Sequence, residues 1–282
     1  PGGKYTMFCD ELQFDVAGNN TLAAELRTAV RKNQFELHYQ PRVNLTSGEL
    51  DGLEALLRWN HPERGMLLPV EFIDTCEDMG LLRTIGYQVI QHACSAQVWL
   101  SEQGMDKVDV AVNVSFSQIQ DEHFVSIVTD ILQRTGANPS RLELELTETT
   151  ILKSPGAIKS RMDELRLLGV SFSLDDFGTG FSQLSHLTEL PISAIKIDRS
   201  FVSDLPHNAQ QVAICTMVIK MAQRLGMPVV AEGAETYEQI TFLREQECDQ
   251  VQGFYYSQAI PLQQLPRFVQ EQRFKQREQI LS

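Results

Sequence analysis

No stretch of this sequence approaches the ~20 apolar residues that a helical membrane crossing needs, and the opening residues contain no apolar core of a secretory signal. The chain is therefore expected to work in the cytoplasm, with any membrane anchor lying in a longer parent. Cysteine is sparse and badly spaced for joint work. Cys9, Cys76, Cys94, Cys215 and Cys248 are an odd number with no CxxC pair, a pattern that fits neither a disulfide framework nor a zinc site. Positive charge is short as well. Lys and Arg total 24 against 37 Asp and Glu, a formal net charge of −13, which argues against DNA or RNA polymers as partners. No Gly-rich dinucleotide fingerprint follows the first strand-like segment, which weighs against a doubly wound open sheet.

What is present is a rhythm. The 282 residues, 43% of them apolar, suffice for the core of one α/β barrel. Residues 1–20 have no clear period and end in Gly18-Asn19-Asn20, a linker or the end of an upstream domain; the folded domain is expected over 21–282. A helix from Thr21 precedes a strand over Phe35–Gln40 that stops at Pro41. The short turn Thr46-Ser47-Gly48 leads to a second strand, Leu50–Trp59, and forces an antiparallel pair because no crossover helix fits between them. Helices over Pro69–Met79 and Leu81–Gln103 follow. Strands Val108–Val114, Leu142–Thr147, Val170–Asp175, Ala194–Asp198, Pro228–Glu232 and Asp249–Gly253 then alternate with helices Asp121–Thr135, Gly156–Leu168, one from Ser182, Ala209–Leu225, Tyr237–Gln246 and one near Pro261. Eight strands in this order predict a TIM-like (β/α)8 barrel with an antiparallel strand pair at its start.

In such a barrel the C-terminal strand ends share one mouth. Here they deliver Glu54, Asn113, Glu145, Asp175 with Asp176, Lys196, Glu232 and Gln252. Singly, each has a plain explanation: Glu145 as the polar face of a half-buried strand, Lys196 as a solvated edge residue, Asn113 as a turn holder. Together they place several carboxylates beside one lysine, which is costly unless cations bind. All-oxygen donors favour Mg²⁺ or Mn²⁺ over zinc.

The segment Glu54-Ala55-Leu56-Leu57-Arg58-Trp59 stands among Tyr39-Gln40-Pro41, Asn113-Val114-Ser115, Glu145-Leu146-Thr147-Glu148, the Asp175–Ser182 loop, Lys196-Ile197-Asp198, Glu232-Gly233-Ala234-Glu235 and Gln252-Gly253-Phe254. In this order the motifs resemble the EAL domain of cyclic di-GMP phosphodiesterases, from about Phe35 to Pro261. That resemblance implies two-metal hydrolysis of cyclic di-GMP to linear pGpG. Glu54, Asn113, Glu145 and Asp175 would ligate one ion; Asp175, Asp176 and Glu232 a second. Ca²⁺ would bind without supporting turnover. Lys196 would hold or activate the attacking water, with Glu232, Gln252, Glu148 and Glu235 also in the catalytic set. Substrate contacts would come from Gln40, Glu54, Leu57, Arg58 and Asn113, with Asp198 and Phe254 toward guanine. Glu148 would anchor the Asp175–Ser182 loop, through which the family forms homodimers. Phe181-Ser182-Gln183, Ala234 and Gln258-Ala259 depart from the family's usual residues, but none removes a metal ligand. The opening Pro1-Gly2-Gly3 and the run Tyr5-Thr6-Met7-Phe8, similar to the tail of a GGDEF domain, imply an upstream regulatory domain. Two other readings compete: a non-catalytic cyclic di-GMP receptor, and an unrelated metal-dependent lyase on the same barrel.

Overall fold

The structure, a computed structural model, describes residues 21–178 and 189–272. The expected linker over 1–20, the GGDEF-like run within it and the helix from Ser182 lie outside the described residues. Among those residues, no helix is long and apolar enough to cross a membrane.

Helix α1 covers 21–31. Strands β1 (Phe35–Asn44), β2 (Leu50–His61) and the short β3 (Gly65–Leu67) follow, then α2 (Ile73–Asp78) and α3 (Leu82–Glu102). From there strands and helices alternate: β4 (Asp109–Asn113), α4 (Phe116–Ile119), α5 (Phe124–Thr135), β5 (Leu142–Thr147), α6 (Glu148–Lys153), α7 (Pro155–Leu168), β6 (Ser171–Phe177) and β7 (Ala194–Ile197). Helix α8 (Ala209–Leu225), β8 (Val229–Glu232), α9 (Tyr237–Glu245), β9 (Gln250–Gln252) and β10 (Ile260–Pro261) complete the order, with α10 at 265–272.

Hydrogen bonding runs β1-β9-β8-β7-β6-β5-β4-β2, and β2 returns to β1, so eight strands close into a barrel. Neighbours from β4 to β9, and β2 with β4, are parallel, while β1 runs against β9 and β10. The (β/α)8 barrel with one reversed strand is the architecture expected. Pro41 does not end β1. Its strand pairs with β10 at His38 and Tyr39 and with β9 from Arg42 to Asn44. On that edge of β1, the residue without an N–H thus falls where one partner gives way to the next.

The chain divides into two compact units. The described part of the first comprises 21–36 and Leu57–Ile85. Its centre is Trp59, fully buried, packed edge-on to Phe72 and tilted against Phe35, with ring centroids 5.6 and 5.9 Å away. The indole N–H donates to Gln34 Oε1 at 3.2 Å, so the ring's one polar atom is satisfied. The second unit holds Leu37–Leu56 and the chain from Gly86. In β5, Leu142, Leu144 and Leu146 alternate with Glu143 and Glu145, and all five are buried. Buried on both faces, this strand carries its glutamates inside the barrel, where they need ionic partners, and not on a half-solvated face.

Candidate active site

The second unit gathers the strand-end residues. Lys196 Nζ, on β7, is the point on which they converge: Glu232 Oε1 lies 2.6 Å away, Glu145 Oε2 2.7 Å, Asp175 Oδ1 3.1 Å and Glu54 Oε2 3.7 Å. The lysine is almost fully buried. Burial alone would discharge it, but Glu145, Glu232, Glu54 and Asp175 outweigh that and hold the ammonium well above its ordinary range. The carboxylates share one ammonium among four. Burial, with Glu54 and Asp175 adding to it, therefore pushes the Glu145 carboxyl well up, and burial first raises Glu232 from 4.5 to about 8. Glu54 goes the other way. Burial is outweighed there by Lys196 and by the amides of Gln252 and Asn113, and its carboxyl stays low.

Those amides define the rest of the mouth. Asn113 Nδ2 donates to Glu54 Oε1 at 2.7 Å, Gln252 Nε2 donates to Glu54 Oε2 and, at 3.0 Å, to Gln40 Oε1, and Gln40 Nε2 reaches Ser257 O at 3.2 Å. Asp175 and Asp176 end β6 through an irregularity. The register with β7 shifts between Leu174 and Phe177, and Asp176 adopts a left-handed φ of 55°. Asp176 is half-buried, and its carboxyl is raised by burial and then by Asp175 and Asp198.

The remaining expected residues are placed as follows. Glu148 is buried in the first turn of α6; the part of its loop from Thr179 on lies outside the described residues. Asp198 accepts from the Ser200 N–H and hydroxyl, and Glu235 accepts from Arg199 Nη2 at 2.8 Å. Phe254 is 54% exposed. Leu57 and Arg58 continue β2 into the first unit, where Arg58 Nη1 donates to Leu57 O at 2.8 Å.

A buried ion pair beneath the mouth was not foreseen. Arg42 on β1 donates through Nη1 to Glu143 Oε1 at 2.8 Å and through Nη2 to Glu143 Oε2 at 3.1 Å. The signal was the two-residue period: Arg42 follows Gln40, and Glu143 precedes Glu145, on the same strand faces. Gly52 makes room for it. A Cβ there would stand 2.6 Å from Arg42 Nη2 and 2.7 Å from Nε. With both ends of the guanidinium engaged, Gly52→Ala is expected to cost about 1–3 kcal/mol of stability, read by urea unfolding; an unchanged midpoint would mean Arg42 can move aside freely.

Among the described residues, no three His, Cys, Asp or Glu side chains are grouped to hold a metal ion as they stand, because the carboxylates close on Lys196. The donor set nevertheless suits a hard divalent cation. It is all oxygen; Glu145 Oε1 is buried without a hydrogen-bond partner among the described residues, and the other carboxylates share the single Lys196 ammonium. The raised Glu232 carboxyl gives a test. With cations removed by chelator, folded Glu232 keeps a proton that the unfolded chain has lost, from about 4.5 to about 8. Stability should then fall as pH rises through that window, and Mn²⁺ should flatten the slope. A thermal midpoint indifferent to pH under chelator would contradict this.

The EAL domain family profile matches residues 23–259. The cyclic di-GMP phosphodiesterase NbdA of Pseudomonas aeruginosa is 42% identical over 250 residues, covering 89% of this chain and 32% of that protein. The bifunctional diguanylate cyclase/cyclic di-GMP phosphodiesterase MucR of the same species is 37% identical, covering 93% and 38%. The chain thus spans about a third of the length of these relatives. The solved structure of the PaMucR phosphodiesterase in complex with c-di-GMP superposes with a TM-score of 0.83 at 39% identity, covering 87% of this chain and 99% of that one. The strand-end carboxylates and the barrel with its reversed first strand thus occur in a chain matched over most of its length, which belongs to the EAL domain family.

Proposed function

We propose that this chain is a phosphodiesterase that hydrolyses cyclic di-GMP to linear pGpG. The observation that carries the reading is the convergence of Glu54, Glu145, Asp175 and Glu232 on Lys196, in a chain whose relatives include cyclic di-GMP phosphodiesterases. Water attacks phosphorus in line with the 3′-oxygen. That P–O bond breaks, the departing oxygen takes a proton, and the product keeps a 5′-phosphate. Glu54, Asn113, Glu145 and Asp175 would hold one Mg²⁺ or Mn²⁺, and Asp175, Asp176 and Glu232 another. Such ions, when bound, lower the pKa of water and offset charge on the attacking and leaving oxygens.

The protein's own groups do the positioning. A Lys196 kept charged by its neighbours serves better as an oriented donor to the attacking water than as its base. Gln252, with Gln40 behind it, fixes Glu54. Gln40, Leu57 and Arg58 would meet the substrate, Arg58 at a phosphate, with Asp198 and Phe254 toward guanine. Glu148 would anchor the loop after Asp175, and Glu235, through Arg199, would steady the turn after Glu232. The same reading makes the protein cytoplasmic, a homodimer through the 175–182 region, and the partner of an upstream regulatory domain; the greater length of the relatives supports the last.

The deciding assay incubates the protein with cyclic di-GMP and Mg²⁺ or Mn²⁺, with and without chelator, and follows pGpG by chromatography. Turnover abolished by chelator is expected. Ca²⁺ should permit binding but little hydrolysis, since its longer, looser coordination misplaces the water. Binding without turnover under every cation would make the chain a receptor, and turnover indifferent to chelator would remove the metal assignment.

A further inference from the structure

Below the mouth the barrel is lined by small side chains on the same strand faces as the cluster: Gly52 two residues before Glu54, Ala111 beside Glu54, Ser173 beside Glu145 and Ala194 beside Ser173. A (β/α)8 barrel ordinarily fills that layer with branched aliphatics. Here the space admits Arg42, which is 2% exposed. Its two-pronged grip on Glu143 needs a planar guanidinium and could not be reproduced by lysine.

Arg42 also looks upward. Its Nη1 lies 3.8 Å from Glu145 Oε1, the oxygen that has no hydrogen-bond partner among the described residues, while Glu145 Oε2 accepts from Lys196 Nζ at 2.7 Å. Glu145 therefore sits between two buried cations, one at the mouth and one beneath it. Glu143 occupies both prongs of Arg42, so the guanidinium cannot turn to take Glu145 fully for itself.

We propose that Arg42, locked by Glu143, is a positioning residue that holds Glu145 from below in the orientation required to bind divalent cations at the mouth. Its effect on turnover rests on the hydrolase reading; its effect on cation binding does not. The simpler role for such a pair is to tie β1 to β5. The two roles separate because replacing both members of a buried ion pair by apolar groups is often neutral for stability, whereas removing one strands a buried charge.

The test compares the full chain with Arg42→Met, Arg42→Lys and the double variant Arg42→Met/Glu143→Leu. Thermal midpoints are read first, then Mn²⁺ affinity without substrate by calorimetry, then kcat and KM for cyclic di-GMP. Arg42→Met should lower the midpoint and the double variant should recover it. Mn²⁺ affinity should stay at least ~10-fold weaker in both, the scale of a lost outer-shell support, with kcat falling more than KM rises. A double variant that regains wild-type Mn²⁺ affinity along with its midpoint overturns the proposal, as does a wild-type chain that binds no Mn²⁺. If the double variant does not fold, Arg42→Lys decides: charge kept and fork lost should still weaken Mn²⁺, and undiminished affinity overturns the proposal. Wild-type protein that binds Mn²⁺ but leaves cyclic di-GMP intact ends the hydrolase reading alone.

Discussion

Glu54→Ala is expected to reduce cyclic di-GMP turnover by at least ~10³-fold at saturating Mg²⁺, equivalent to about 4 kcal/mol of transition-state stabilisation. The size follows from how many groups this carboxylate serves. Asn113 Nδ2 and Gln252 Nε2 each donate to one of its oxygens, and Lys196 Nζ lies 3.7 Å from the second. Removing it takes an acceptor from the buried Gln252 amide and from Asn113 as well as a cation donor. Glu54→Gln is the companion variant. It preserves volume, but its own amide nitrogen would face a donor, so it should be nearly as inactive while unfolding close to the wild-type midpoint. Near-normal turnover in either folded variant would sink the assignment of Glu54 to the cation site.

Lys196→Met should lower turnover by ~10²–10³-fold, in the range found when one charge-stabilising donor is lost. It should also lower stability in chelator by about 3–5 kcal/mol, because it removes the positive partner of buried carboxylates. The second effect has a signature. Mn²⁺ supplies the missing positive charge, so it should raise the thermal midpoint of Lys196→Met more than that of the wild type. Equal shifts in the two proteins would mean the carboxylates do not depend on the ammonium for their balance.

Much of the fold could be read from period alone. Strand β5 and helix α8 have the bounds expected for them, because Leu-Glu alternation and the span from Ala209 to Leu225 leave little choice. Strands β3 and β10, of three and two residues, are too short to carry a period and were not foreseen. Pro41 misled because a missing N–H ordinarily ends pairing; here it falls at the exchange from β10 to β9 along one edge of β1. The mouth residues were found by following strands to their C-terminal ends. That rule looks only at the ends, so it passed over Arg42 and Glu143 one layer down. It did set carboxylates beside Lys196, but the distances at which Glu54, Glu145, Asp175 and Glu232 surround its Nζ follow only from closing the barrel.

The irregularity in β6 bears on how the paired aspartates should be dissected. Simple alternation would send neighbouring side chains to opposite faces, yet Asp176 shares its electrostatic surroundings with Asp175, Lys196 and Glu54 because its backbone is left-handed. Asparagine and aspartate tolerate that conformation far better than alanine does. An alanine scan at this position therefore reports two losses at once, the carboxylate and the backbone geometry that aims it. Asp176→Asn removes the charge and leaves the geometry, while Asp176→Gly keeps the geometry accessible without any side chain; activity lost equally in both variants would belong to the carboxylate itself.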